Sequence, residues 1–148
     1  MAATETRAFT IERLGHVVVR VRDIERSMPF YRDVLGLQVR RHVPGRAAFF
    51  TCGEQDHDLA IFQLGDDAPG PEEQRVGMYH VALRLPSFDQ LQAAYNHAKA
   101  SGANIVGMNH HGHSKSVYLK DPDGLEFELY CETDEEGTEE TLRRDLGA

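Results

Sequence analysis

An α+β fold of two βαβββ modules, paired into a half-barrel cup, is predicted by three observations. Strand-like and helix-like stretches occur twice in the same order along the 148 residues. Marker residues recur at constant spacing: His16 and His80 are 64 apart, and so are Tyr31 and Tyr95. One stretch, 65–77, has the Asp, Pro and Gly content of a linker. Two copies at so long a period indicate a fused duplication rather than a solenoid.

Residues 15–21 read as a β-branched, buried strand. Asp23 then caps a helix to about Leu35, with Ile24, Met28, Tyr31, Val34 and Leu35 near one face. Pro29 inside that pattern predicts a kink or a 3₁₀ start, and Gly36 a left-handed stop. Strands follow at 37–43, 46–52 and 57–64, separated by Pro44-Gly45 and by 53–56. After the linker the order returns: a strand at 79–85, then a helix from the Ser87 cap to about Ala100. Leu91, Ala94, Tyr95 and Ala98 face inward on that helix, Gly102 ends it, and strands follow at 103–108, 116–120 and 125–132. Between the last two, Asp121-Pro122-Asp123-Gly124 has the residues of a tight turn. Residues 57–62 align with 123–128 at an offset of 66. The expected organisation is an extension 1–13, module one 14–64, the linker, module two 78–132 and an acidic tail 133–148.

Residues 132–148 carry −5 of the formal net charge of −8, and the tail reads as a solvated, partly helical extension. No basic stripe with interleaved aromatics is present, which argues against nucleic acid. No apolar run approaches the ~18 residues of a membrane span, and the first seven residues lack the apolar centre of a signal peptide. A cytoplasmic location is expected. Cys52 and Cys131, far apart and in strand-like surroundings, are expected as two buried, reduced thiols.

The chemistry centres on the strand after the turn. Leu125, Phe127 and Leu129 fall on one face, and Glu126, Glu128 and Tyr130 on the other. Two carboxylates on a strand are ordinarily solvated, and a lone His in an apolar strand is ordinarily structural. The duplication changes this, because it sets His16 and His80 at equivalent places on the first strand of each module. Two imidazoles and the Glu128 carboxylate make a facial triad, the ligand set of non-haem Fe(II) oxygenases, which Mn(II) also fits. Glu126, nearer the turn, is read as a rim group.

The chain resembles the vicinal oxygen chelate superfamily, and within it the type I extradiol ring-cleaving dioxygenases. The most specific part is Asn109-His110-His111, then Val117-Tyr118, the turn 121–124 and Leu125 to Glu128; a second mark is the helix segment 26–37. The resemblance implies metal ligands at His16, His80 and Glu128, and an acid–base His at His57. It implies a substrate hydrogen-bonding Tyr at Tyr118, and a further active-site His best matched by His111, with His110 and His113 as competitors. It implies O₂-dependent opening of a catechol-type ring by a homodimer or higher homo-oligomer. Phe62 is read as holding the place in module one that Glu128 holds in module two, which leaves no fourth ligand, while Gln63 turns to the other face. The alternatives are a metal-dependent isomerase, epimerase or thiol transferase, and a noncatalytic small-molecule binding (resistance) protein.

Overall fold

The structure, a computed structural model, describes residues 7–148, so expectations for residues 1–6 lie outside the described residues. Module one runs β1 (Val17–Val21), α1 (Ile24–Pro29), β2 (Gln38–Val43), β3 (Ala47–Thr51) and β4 (Leu59–Gln63). Module two runs β5 (Val81–Arg84), α2 (Phe88–Ala100), β6 (Asn104–His111), β7 (Ser114–Lys120) and β8 (Glu126–Glu132). Each forms its own four-stranded sheet, in the orders β1-β4-β3-β2 and β5-β8-β7-β6. In both, the outer pair with the first strand is parallel and the rest is antiparallel. The repeat extends to an irregularity: the second strand slips register at Val39/Arg41 in one module and at Ile105/Gly107 in the other.

Local chemistry explains the helices. The Asp23 carboxylate accepts the Arg26 N–H at 2.9 Å, and the Ser87 hydroxyl accepts the Gln90 N–H at 3.3 Å. Pro29 has no N–H to donate and crowds the preceding turn. The helix widens there into a π-helical turn, Phe30–Val34, with Leu35 N–H donating to the Phe30 carbonyl. Gly36, at φ 71, then reverses the chain.

The two modules share one core. Tyr31 packs its ring at 5.6 Å from Phe50 of β3 and at 5.5 Å from Phe127 of β8. Both of those residues lie on the helix-facing side of their sheets, so the first helical segment is wedged between the two sheets. Polar contacts reinforce the joint. The Tyr31 hydroxyl donates to the buried Asp121 carboxylate at 2.7 Å, and Asp123, whose side chain is 5% exposed, receives both Arg22 and Arg26.

Two sequence expectations change. Cys131 is buried but Cys52 is exposed, because β3 ends at Thr51 and Cys52 lies in the bend beyond it. The tail is not wholly solvated: α3 (Glu139–Leu146) buries Leu142 and Leu146 against module two, where it meets β6. Ahead of it, Glu135 accepts from Lys115 Nζ at 2.7 Å, and its carbonyl lies 3.0 Å from His110 Nε2. The acidic composition hid a two-leucine stripe at i, i+4 spacing. Among the described residues no helix is long and apolar enough to cross a membrane.

Candidate metal and substrate site

Strand alternation gives each sheet a face against the helices and an open face. On module two the open face carries His80, Glu126, Glu128, Ser116, Tyr118 and Asn109. Glu128 is at its centre, opposite Ala82 on β5 and Tyr118 on β7. Its Oε2 lies 2.9 Å from His80 Nε2. Its Oε1 accepts the Ser116 hydroxyl at 2.5 Å and the Tyr118 hydroxyl at 3.3 Å. His80 Nδ1 is buried without a hydrogen-bond partner, the Glu126 carboxylate standing 3.7 Å away. Burial, and then the charge of Glu128, raise the Tyr118 pKa, so the phenol remains a donor at neutral pH.

The three histidines of the β6–β7 hairpin separate cleanly. His110 is buried under the tail, on the side away from the open face. His113 lies in the hairpin turn, its carbonyl accepting the Thr133 N–H. His111 is exposed on the open side, its Nε2 against the Asn109 side chain, in a recess that Asn109 and Tyr118 also line. Neither Ser116 nor Asn109 was assigned a role from the sequence. The signal available was alternation: 109 lies two residues from His111 on one strand, and 116 two residues from Tyr118 on the next.

Module one presents His16, with its ring 4.5 Å from that of His57. His57 also meets Phe49 edge-on at 5.3 Å, and its Nδ1 is 2.8 Å from the Asp56 carboxylate. The hydrogen bond to His57 holds Asp56 below the usual carboxylate range. Strand register corrects one equivalence. Val18 opposes Ala60 in module one, as Ala82 opposes Glu128 in module two, so Ala60 stands in the place of Glu128. Phe62, opposite Arg20, matches Tyr130, opposite Arg84. The offset of 66 missed this because the loops before the two last strands differ in length. Phe49, opposite Ala60, likewise takes the place of Tyr118.

The site residues fall into two groups. His80 and Glu128 come together with Ser116 and Tyr118, and His16 comes together with His57. The expected cup placed both groups on facing surfaces, but here the two helix-facing sides look toward each other and the open faces point away. Among the described residues no three His, Cys, Asp or Glu side chains are grouped to hold a metal ion.

Comparison with known proteins places this architecture. Residues 13–129 match the Glyoxalase/Bleomycin resistance protein/Dioxygenase superfamily. A catechol-2,3-dioxygenase of Bacillus subtilis is 32% identical over 80% of this chain, which spans 41% of that protein. A biphenyl-2,3-diol 1,2-dioxygenase of Rhodococcus globerulus is 31% identical over 86% of this chain and 68% of its own length. A lactoylglutathione lyase of Neisseria meningitidis is 29% identical, with 88% of it covered. Among solved structures, the fosfomycin resistance protein FosX of Mesorhizobium loti superimposes with a TM-score of 0.62 at 25% identity, over 84% of this chain and 95% of that one. The duplicated βαβββ architecture and the match over most of its length show that this chain belongs to the Glyoxalase/Bleomycin resistance protein/Dioxygenase superfamily.

Proposed function

We propose that the protein is an extradiol dioxygenase that opens a catechol-type ring with O₂, using Fe(II), with Mn(II) as the alternative metal. The observation that carries this reading is an asymmetry between the modules. Glu128 is a carboxylate oriented by Ser116 and paired with His80, whereas Ala60 fills the equivalent place. With His16 the donor set is then two imidazoles and one carboxylate, which leaves positions open for a diol and O₂.

The residues fit such a metal. His80 Nε2 and Glu128 Oε2 converge at 2.9 Å, which sets Nε2 as the ring nitrogen for the metal, with Glu126 standing 3.7 Å from Nδ1 on the other side of the ring. Because the open faces point apart, His16 of one copy would join His80 and Glu128 of a second copy in a homodimer. When bound, the metal supplies the means of passing electron density between diol and O₂. His57 directs Nδ1 at the Asp56 carboxylate, which only accepts, so the lone pair resides on Nε2. That nitrogen takes a proton from the diol and returns it as the ring opens. Tyr118 and His111 donate hydrogen bonds to the substrate oxygens as charge develops.

A metal-dependent isomerase or thiol transferase is the second reading, kept by the likeness to lactoylglutathione lyases across most of their length. Anaerobic loading with Fe(II), followed by a catechol panel and O₂, separates the two. Coloured ring-fission product with matching O₂ uptake is expected. Absence of both across the panel would sink the dioxygenase reading.

A further inference from the structure

The open face of module one holds an asymmetry of its own. Its positions read Val18, Ala60, Phe49 and Arg41 across one row of neighbouring strands, and Arg20, Phe62, Ala47 and Val43 across the next. This surface is apolar and cationic, whereas the matching surface of module two carries Glu126, Glu128, Tyr118 and Ser116. Arg41 has no counterpart there, since Gly107 occupies its register position opposite Tyr118.

Beside Phe49 lies a recess of about 450 Å³ lined by Arg41, Arg46, Val43, Ala47, Phe49 and Phe62. Ala47, opposite Phe62 on the neighbouring strand, lines it as a small side chain, and the rings of Phe49 and Phe62 touch edge to face at 5.9 Å. Phe62 is 41% exposed, a large apolar surface that none of the described residues covers. The Arg41 guanidinium stacks over the Phe49 ring at 4.4 Å. Arg46 is set by the Pro44-Gly45 turn, where its N–H donates to the Val43 carbonyl and its own carbonyl accepts the Gln63 N–H. Among the described residues Arg41 and Arg46 have no carboxylate within ion-pair distance, as is also true of Arg13, Arg20 and Arg40, whereas Arg22, Arg26 and Arg84 have one. The acids of the opposite open face are already partnered: Glu126 and Glu128 lie against His80, and Glu132 pairs with Arg84.

We propose that this recess is a binding site for an aromatic acid, with the ring on the exposed surface of Phe62 and the anionic group on Arg41 and Arg46. Guanidinium forks suit a carboxylate, and an arginine already stacked on an aromatic ring loses little freedom on binding it. His57 packs on the same Phe49 ring. The substrate would therefore be a catechol whose ring bears a carboxylate substituent, pointing away from His57. This assignment of substrate class rests on the dioxygenase reading; the aromatic-acid site does not.

The test uses the metal-free protein, titrated with phenylacetate and 3-phenylpropionate and with their amides, by calorimetry or ligand-observed NMR. The acids should bind about tenfold or more tightly than the amides, a preference of the size charge-assisted contacts give. The Arg41→Gln/Arg46→Gln double variant should lose that preference while keeping the parent's unfolding transition. Equal binding of acid and amide, or a preference that survives in the double variant, overturns the site. With Fe(II) and O₂, the kcat/KM ratio of 3,4-dihydroxyphenylacetate to 4-methylcatechol should fall about tenfold in the double variant, tracking the same loss of charge-assisted contact. If neither catechol turns over but the acid preference stands, the dioxygenase reading fails and the recess remains. If both turn over with no acid preference, the recess alone fails.

Discussion

Glu128 faces His80 at 2.9 Å because β5 and β8 run parallel in a register that sets Ala82 opposite Glu128. The pair is therefore built within one module. His16, on the other sheet, is directed away from it, since Tyr31 joins the helix-facing sides of both sheets. Any site that uses all three residues needs a second copy of the chain.

Subunit mixing tests that requirement. His16→Ala and Glu128→Ala homodimers should each lack activity and retained metal. Mixed and allowed to exchange, they should recover about a quarter of the parental activity, because half of the dimers are mixed and each of those has one intact site of two. No recovery after demonstrated exchange would place all three ligands within one chain, or rule out the triad.

Ser116 is marked in the sequence only by strand alternation with Tyr118. It is buried, and its hydroxyl holds the Glu128 oxygen that faces away from His80. Ser116→Ala should weaken Fe(II) affinity by about tenfold or more, the usual cost of losing a group that orients a ligand, with little change in fold. Metal titration followed by circular dichroism checks both parts. A variant that bound metal as well as the parent would remove Ser116 from the site.

The fold was legible because each local signal agreed with the others. Caps at Asp23 and Ser87, stops at Gly36 and Gly102 and strand-like stretches in the same order twice over all pointed to a duplicated βαβββ chain. The placement of Phe62 was not legible, because an offset counted along the chain absorbs differences in loop length, and only hydrogen-bonded register reveals Ala60 as the match for Glu128. The direction of the open faces was also hidden. It depends on which side of each sheet the Tyr31 wedge joins, a tertiary choice that periodicity does not encode.

Asp121 gives a pH prediction with a definite sign. Burial raises its pKa above the ordinary value of 3.8, against the hydrogen bonds it accepts from Tyr31, Asp123 and Leu125. A carboxyl whose folded pKa is raised contributes stability that is fully present below its unfolded pKa and lost as pH rises through the folded one. Asp121→Asn keeps an acceptor for the two backbone N–H groups but cannot titrate. Relative to the parent, the variant should therefore gain stability as pH rises from about 3.8, levelling once Asp121 is ionised in the fold. Urea unfolding of both proteins across that range measures the difference. A difference that does not change with pH would show that the folded pKa of Asp121 is not raised.

The docked tail makes the last prediction. Leu142 is fully buried, and apart from Leu146 the rest of α3 is polar or charged, so these two side chains supply its apolar contact with module two. Leu142→Ala removes a buried side chain and leaves a cavity, a change that costs about 2–5 kcal/mol in well-packed sites. A value near the low end is expected, because α3 lies at the chain's end and can shift to close part of the space. Exchange of the backbone N–H groups of α3 should quicken in the same variant, since fraying of the helix would then cost less than global unfolding. A loss below about 0.5 kcal/mol, the range of ordinary surface substitutions, would mean that α3 does not dock in solution.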